Sequence, residues 1–119
     1  MPDGYLTTHV LDTARGQPAG GMTVSLFQIH GDEPSLIAQM TTNADGRTDA
    51  PMLAQAEFKT GTFELVFEAG AYFDGLCIPR EDPRFLDIIP IRFGISDVDS
   101  HYHVPLLVSP FGYSTYRGS

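Results

Sequence analysis

Hydrophobic and polar residues alternate over several short stretches of this chain, and turn-forming residues separate the stretches. The clearest example is TGTFELVFEAG at residues 60–70, where Phe63, Leu65 and Phe67 fall at every second position. Side chains two residues apart project from the same face of a β-strand, whereas a helical pattern repeats about every 3.6 residues. The period of two therefore predicts a strand that buries these three side chains in the core.

The same alternation predicts further strands: GMTVSLFQI (21–29), SLIAQMTT (35–42), LDIIPIRFGIS (86–96), HYHVPLLVS (101–109) and YSTY (113–116). Turn signals lie between them, and Asp45-Gly46 is a strong one because glycine tolerates a positive φ. An edge strand is expected around His9. One short helix is favoured at residues 69–77, where it would bridge two strands, over a second candidate at residues 51–58. Seven or eight short strands with little helix predict an all-β sandwich.

Length and composition place the chain among single-domain globular proteins. It has 119 residues, of which 42 % are hydrophobic, so we expect one domain over residues 1–119. The formal net charge is -8, which disfavours binding to nucleic acid because phosphates would be repelled. No run approaches the roughly 20 apolar residues of a membrane helix. The N-terminal residues lack a secretory signal pattern, so the cytoplasm is the expected location and no membrane partner is predicted.

The single cysteine, Cys77, narrows the chemistry further. It cannot form a disulfide within the chain, and free cysteines are usually buried, so we expect Cys77 in the core. The chain also lacks a Gly-rich phosphate loop, a Gly-x-Ser-x-Gly elbow and a His-Glu-x-x-His helix. Nucleotide binding and serine-nucleophile chemistry therefore have little support.

The strand at residues 101–109 predicts two outward-facing histidines. One face of this strand is uniformly apolar and must point to the core: Tyr102, Val104, Leu106 and Val108. His101 and His103 share the other face. If the last strand returns antiparallel, Ser114 and Tyr116 lie on the same side as His103. From the pattern alone the two histidines are either solvated surface groups or a pair for proton transfer or metal binding, since imidazole suits both.

Two more polar residues, His9 and Arg47, do not indicate a function when each is considered alone. His9 alone is typical of a surface histidine, and Arg47, just after the Asp45-Gly46 turn, is typical of a solvated ion-pair partner. Neither residue by itself indicates a function.

Several stretches together resemble one known family. They are HVLDTARGQPAGGMTVSLF near the start, the turn NADGR, the passage FELVFEAGAYF, and HYHVPLLVSPFGYSTYRGS at the end. The sequence is similar to the 5-hydroxyisourate hydrolases, transthyretin-related enzymes of urate breakdown, over essentially its whole length. The resemblance implies a transthyretin-like β-sandwich of two four-stranded sheets with one short helix at AGAYFDGLC. It also implies a homotetramer whose active sites lie at the interface between dimers.

The resemblance also implies roles for individual residues. His9, Arg47 and His103 match the catalytic positions of the family, and Tyr116, Ser114 and Ser119 match further positions that line the substrate site. The expected reaction is the hydrolytic opening of 5-hydroxyisourate, a cyclic amide, to 2-oxo-4-hydroxy-4-carboxy-5-ureidoimidazoline. His103 is the first choice for the general base that accepts a proton from water, and His9 is the second. Neither a metal nor another cofactor is required in principle.

Two alternatives remain at this point. A small-molecule carrier of the transthyretin type would share the scaffold, but transthyretin lacks the set His9, Arg47, His103 and Tyr116. A zinc-binding β-sandwich module would use His9, His101 and His103 as ligands if the three converge. The resemblance gives no role to His101.

Overall fold

The computed structural model describes residues 3–118, which form eight strands and one short α-helix. The strands are β1 (Tyr5–Asp12), β2 (Gln17–Pro18), β3 (Thr23–His30), β4 (Glu33–Thr41), β5 (Gly61–Glu68), β6 (Ile88–Ile95), β7 (His101–Ser109) and β8 (Gly112–Thr115). The helix α1 covers Ala69–Gly75, and a single 3-10 turn covers Gln55–Glu57.

The strands form two four-stranded sheets. One has the order β2-β1-β7-β8 and the other the order β4-β3-β5-β6. The first sheet contains a parallel pair, β1 with β7, which places Thr7 opposite His103 and His9 opposite Pro105. The β-sandwich of two four-stranded sheets with one short helix is thereby confirmed. The expectation of an edge strand around His9 is wrong, because β1 lies between β2 and β7 inside the sheet.

The core lies between the two sheets and follows the alternation of the sequence. Phe63, Leu65 and Phe67 of β5 are completely buried. The apolar face of β7 is buried as predicted and packs in the same cluster: Tyr102, Val104, Leu106 and Val108. In β6 only Ile89 and Ile95 are buried, since this strand forms the edge of its sheet and lacks a neighbour on one side.

The favoured helix is confirmed, and its alternative is reduced to the short 3-10 turn. Helix α1 follows β5 directly and buries Ala69, Tyr72 and Phe73 against the core. Cys77, expected in the core, is exposed instead. It lies just beyond the helix with a left-handed φ of 57°, and its neighbours Leu76 and Ile78, rather than Cys77 itself, pack against the core. No helix within residues 3–118 is long and apolar enough to cross a membrane.

Candidate active site

The outer face of the first sheet carries a polar cavity between β1 and β7. Alternate residues of β1 are buried, beginning at Leu6, so Tyr5, Thr7 and His9 face outward. In β7 the outward positions include His101 and His103. Because the two strands are parallel and in register, these side chains form neighbouring rows. An open cavity of about 380 Å³ on this face is lined by Tyr5, Thr7, His101 and His103, and also by Arg47 and residues 48–51. His9 lies on the same face but does not line this cavity.

A tight turn brings Arg47 to this face. The backbone N–H of Val10 donates to Gly46 O at 2.8 Å, and His9 and Arg47 pair as an isolated β-bridge. Gly46 has a φ of 75°, and a Cβ there would lie 2.3 Å from Val10 O, so only glycine fits. Asn43 Oδ1 accepts the N–H groups of Asp45 and Arg47 at 2.9 and 3.3 Å. The turn is therefore fixed against β1 by its own backbone.

The same turn determines which nitrogen of His9 carries a proton. His9 Nε2 lies 2.9 Å from Asp45 O. A carbonyl oxygen can only accept, so Nε2 is the donor. In the neutral imidazole the lone pair is then on Nδ1, and Nδ1 is the atom through which His9 would accept a proton.

His103 is oriented by a hydroxyl from the neighbouring strand. Its Nδ1 lies 2.8 Å from Thr7 Oγ1, and His101 Nε2 lies 2.6 Å from the same oxygen. With Nδ1 engaged, Nε2 is the nitrogen of His103 that a substrate or water would meet. The ring centroids of His9 and His103 are 6.5 Å apart, and those of His101 and His103 are 5.9 Å apart.

Burial and positive charge favour the neutral form of both candidate bases. Burial, and then the charge of Arg47, lower the pKa of His9 below 6.5. Burial lowers the pKa of His103 as well, helped by Arg47 and by the neighbouring His101 and His9. A buried imidazole beside a cation loses part of its tendency to hold a second proton. Near neutral pH both rings are therefore able to accept a proton from water.

The predicted residues of the last strand lie elsewhere in the single chain. Ser114 pairs with Leu107, which places it on the outward face with His103, as the alternation predicted. It lines a separate shallow depression rather than the cavity. Tyr116 does not lie beside His103 as predicted: it is 60 % exposed and borders a third cavity with Arg117 and with Tyr102 of the opposite face of β7. The predicted position Ser119 lies outside the described residues.

The end of the described chain nevertheless reaches the site. Gly118 N donates to His103 O at 2.7 Å, and the Arg117 guanidinium lies 4.0 Å from the centre of the Tyr102 ring. The cation over the aromatic face and the backbone hydrogen bond anchor the segment beside β7. A side chain at position 118 would meet the ring of His103, since an added Cβ would lie 2.6 Å from Cδ2.

Sequence reasoning missed the residues that connect the predicted ones. Tyr5 stacks on His101 with ring centroids 4.1 Å apart and planes 9° apart. Thr7 joins His101 to His103. A signal was present, because Tyr5 and Thr7 share the parity of His9 on β1. Its meaning depended on the pairing of β1 with β7, which no local pattern reveals.

The zinc alternative finds no ligand set in this arrangement. Among residues 3–118, no group of three or more His, Cys, Asp or Glu side chains is placed to hold one metal ion. His101 and His103 both turn a ring nitrogen to the Thr7 hydroxyl, whereas His9 turns Nε2 to the backbone carbonyl of Asp45.

Comparison with known proteins supports one family throughout. Residues 6–118 match the model of the HIUase/Transthyretin family. The chain is 59 % identical over 116 residues to 5-hydroxyisourate hydrolase 2 of Rhizobium meliloti, covering 98 % of this chain and 97 % of that protein. The structure of Klebsiella pneumoniae 5-hydroxyisourate hydrolase superposes with a TM-score of 0.81 at 38 % identity, covering 98 % of this chain and 94 % of the other.

An (S)-allantoin synthase structure is also similar, with a TM-score of 0.91 and 45 % identity. That match covers 98 % of this chain, which spans only 44 % of the length of the synthase chain. The scaffold is thus found both alone and within a longer protein.

Proposed function

This chain belongs to the HIUase/Transthyretin family and is a hydrolase, and from that premise we propose that it hydrolyses 5-hydroxyisourate in urate degradation. Water attacks a cyclic amide carbonyl, and the ring opens to give 2-oxo-4-hydroxy-4-carboxy-5-ureidoimidazoline. The observation that carries the proposal is the placement of two imidazoles of lowered pKa and one guanidinium on one outward face: His9, His103 and Arg47.

Hydrolysis of a cyclic amide requires three kinds of catalytic group from the protein. A base removes a proton from the attacking water, a cation or donor stabilises the developing oxyanion, and an acid protonates the leaving nitrogen. All three can be supplied by the side chains at this cavity.

His103 is the proposed base, acting through Nε2. Its ring is held by Thr7, and burial together with the charge of Arg47 lowers its pKa, which favours the neutral form that a base requires. General-base catalysis of this kind contributes about 10²- to 10⁴-fold in rate. His9 is the second candidate, acting through Nδ1, since Nε2 is committed to Asp45 O. The two rings are close enough to share the roles of base and acid on one substrate.

Arg47 is the proposed oxyanion stabiliser. Its guanidinium carries several N–H donors in a fixed plane, which suits ring carbonyls and the charge of a tetrahedral intermediate. The turn that carries it is fixed by Gly46 and Asn43. A donor that is held in place before the reaction is effective because it need not reorganise as charge develops.

We propose that the substrate is positioned, within a homotetramer, by Tyr116, Ser114 and Ser119. The motivation is geometric, since Ser114 and Tyr116 border depressions of their own in the single chain. A neighbouring subunit that covers the outward face of β7 and β8 would close the cavity and bring such residues together. We accordingly expect the hydrolase activity to depend on assembly of the homotetramer. The cytoplasmic location and the independence from cofactors stay predictions from the sequence.

The decisive experiment uses substrate made freshly from urate. The ultraviolet decay of 5-hydroxyisourate is followed with the wild-type protein, with His103→Ala, with His9→Ala and without protein. Faster decay with the wild type and a loss of at least about 100-fold in kcat for His103→Ala are expected. No acceleration by the wild type would refute the proposal, and a full kcat for His103→Ala with a loss for His9→Ala would reverse the assignment of the base.

The carrier alternative is tested in the same preparation. Binding of a hydrophobic ligand without turnover of 5-hydroxyisourate would favour a carrier. Loss of turnover on chelation, with recovery on addition of zinc, would favour a metal-dependent enzyme.

A further inference from the structure

The Thr7 hydroxyl lies between two imidazoles that belong to the same strand. Its oxygen is 2.6 Å from His101 Nε2 and 2.8 Å from His103 Nδ1. A hydroxyl has a single proton, so it can donate to at most one of these nitrogens and must accept from at least one. When Thr7 donates to one ring and accepts from the other, the three groups form a directed chain in which the tautomer of one histidine determines that of the other.

Two directions are possible for this chain. In the first, His103 Nδ1–H donates to Thr7, and Thr7 donates to His101 Nε2, which leaves the lone pair of His103 on Nε2. In the second, all donors are reversed and His103 Nε2 carries a proton. Only the first direction presents a lone pair of His103 toward the cavity, and the second presents an N–H donor there. A general base that later serves as a general acid carries first a lone pair and then a proton on the same nitrogen.

We propose that Thr7 is a positioning residue that relays a proton between His103 and His101 during turnover. This proposal rests on the proposed hydrolysis and deepens it. His103 Nε2 takes the proton of the attacking water, its Nδ1 proton passes to Thr7 Oγ1, and the Thr7 proton passes to His101 Nε2. His103 is then neutral with a proton on Nε2, and His101 is an imidazolium.

The second half of the reaction returns every proton of the relay to its starting position. The proton on His101 Nε2 returns to Thr7 Oγ1, and the Thr7 proton returns to His103 Nδ1, which makes His103 an imidazolium. His103 Nε2–H then protonates the leaving nitrogen as the amide bond breaks. The net result is the transfer of one proton from water to the leaving nitrogen, and all three side chains regain their starting state.

The charges around the two rings explain why a relay is useful. His103 is faced by Arg47, His9 and His101, so a positive charge on its ring is opposed by a fixed guanidinium and burial. His101 is faced by Thr7, by His103 and by the flat face of Tyr5 at 4.1 Å. An aromatic face attracts a cation. Moving the charge from His103 to His101 therefore moves it from beside Arg47 to a stacked aromatic ring.

Two substitutions at one position test the relay. Thr7→Val keeps the β-branched shape but removes the hydroxyl, and Thr7→Ser keeps the hydroxyl. We expect Thr7→Val to lower kcat by about 10- to 100-fold, since it removes hydrogen bonds to a ring that becomes charged, while Thr7→Ser stays within about threefold of the wild type. Thr62→Val on the outer face of the other sheet is the matched control and should keep the wild-type kcat.

A second measurement distinguishes a relay from a merely structural role. The ¹⁵N shifts of the His103 ring report which nitrogen carries the proton in the neutral form. We expect Nδ1–H in the wild type and in Thr7→Ser, and a shift toward Nε2–H in Thr7→Val.

Clear outcomes would overturn the proposal. One is a Thr7→Val variant that keeps both the wild-type kcat and the His103 tautomer. Another is a Thr7→Ser variant that is folded yet as slow as Thr7→Val. A wild-type protein without hydrolase activity would overturn the proposed function itself and with it the relay, whereas an active wild type with an unchanged tautomer in Thr7→Val would overturn the relay alone.

Discussion

Gly118 offers a test of how closely the C-terminal segment supports His103. The residue pairs with His103 through a backbone hydrogen bond of 2.7 Å. A Cβ added at Gly118 would lie 2.6 Å from Cδ2 of His103 and 3.3 Å from both Cβ and Cγ. Ordinary van der Waals contact begins near 3.4 Å, so Gly118→Ala requires a movement approaching 1 Å of the ring or of the segment.

The magnitude of the effect follows from the geometry of general-base catalysis. A displacement of about 1 Å at a reacting group can cost about 100-fold in rate, so we expect Gly118→Ala to lower kcat by about 10- to 100-fold. The assay is the ultraviolet decay of 5-hydroxyisourate, with the thermal unfolding midpoint measured in parallel. The midpoint should change little, because Gly118 lies outside the hydrophobic core.

Gly75→Ala is the matched control for this substitution. Gly75 ends helix α1, its φ is not positive, and an added Cβ there would meet nothing within 4 Å. The control should keep the kcat of the wild type. A Gly118→Ala variant with full activity and an unmoved His103 ring would refute the reasoning. The segment that carries Gly118 would then have moved aside without displacing His103.

Three further predictions concern the pH dependence of activity, the charge of Arg47 and the stability of the fold. The pKa values of His9 and His103 lie below 6.5, and a base must be unprotonated, so activity should fall only as pH drops through that lowered range. Arg47→Ala removes a nearby cation and should raise both histidine pKa values in an NMR titration, and an unchanged pKa would contradict the assigned charge effect. Tyr72 donates to the buried Asp12 carboxylate at 2.9 Å, so Tyr72→Phe should lower the free energy of unfolding by about 1–3 kcal/mol. Urea denaturation measures this change, and a loss well under 0.5 kcal/mol would mean that the hydrogen bond contributes little.

Local patterns were sufficient for much of the fold. The alternation of Phe63, Leu65 and Phe67 assigned the core face of β5, and the apolar face of β7 assigned the outward side to His101 and His103. Both conclusions need only the period of a strand, which is a property of neighbouring residues. The position of the helix followed in the same way from its place between two strands.

The local sequence patterns did not predict that Cys77 is exposed or that β1 lies inside its sheet. Each depends on what lies beside the segment in space: solvent just beyond α1 for Cys77, and two flanking strands for β1. Composition alone favours a buried cysteine, and a two-residue strand such as Gln17–Pro18 leaves too short a pattern to be recognised.

The sequence by itself thus determined the sandwich, the faces of its strands and, through the family resemblance, the candidate residues His9, Arg47 and His103. Only the tertiary structure decided that Thr7 lies between His101 and His103, and that the Arg47 turn fixes the proton of His9. The physical reason is distance along the chain. Side-chain parity is set within a few residues, whereas Thr7 and His103 meet only because two strands 96 residues apart pair in parallel and in one register.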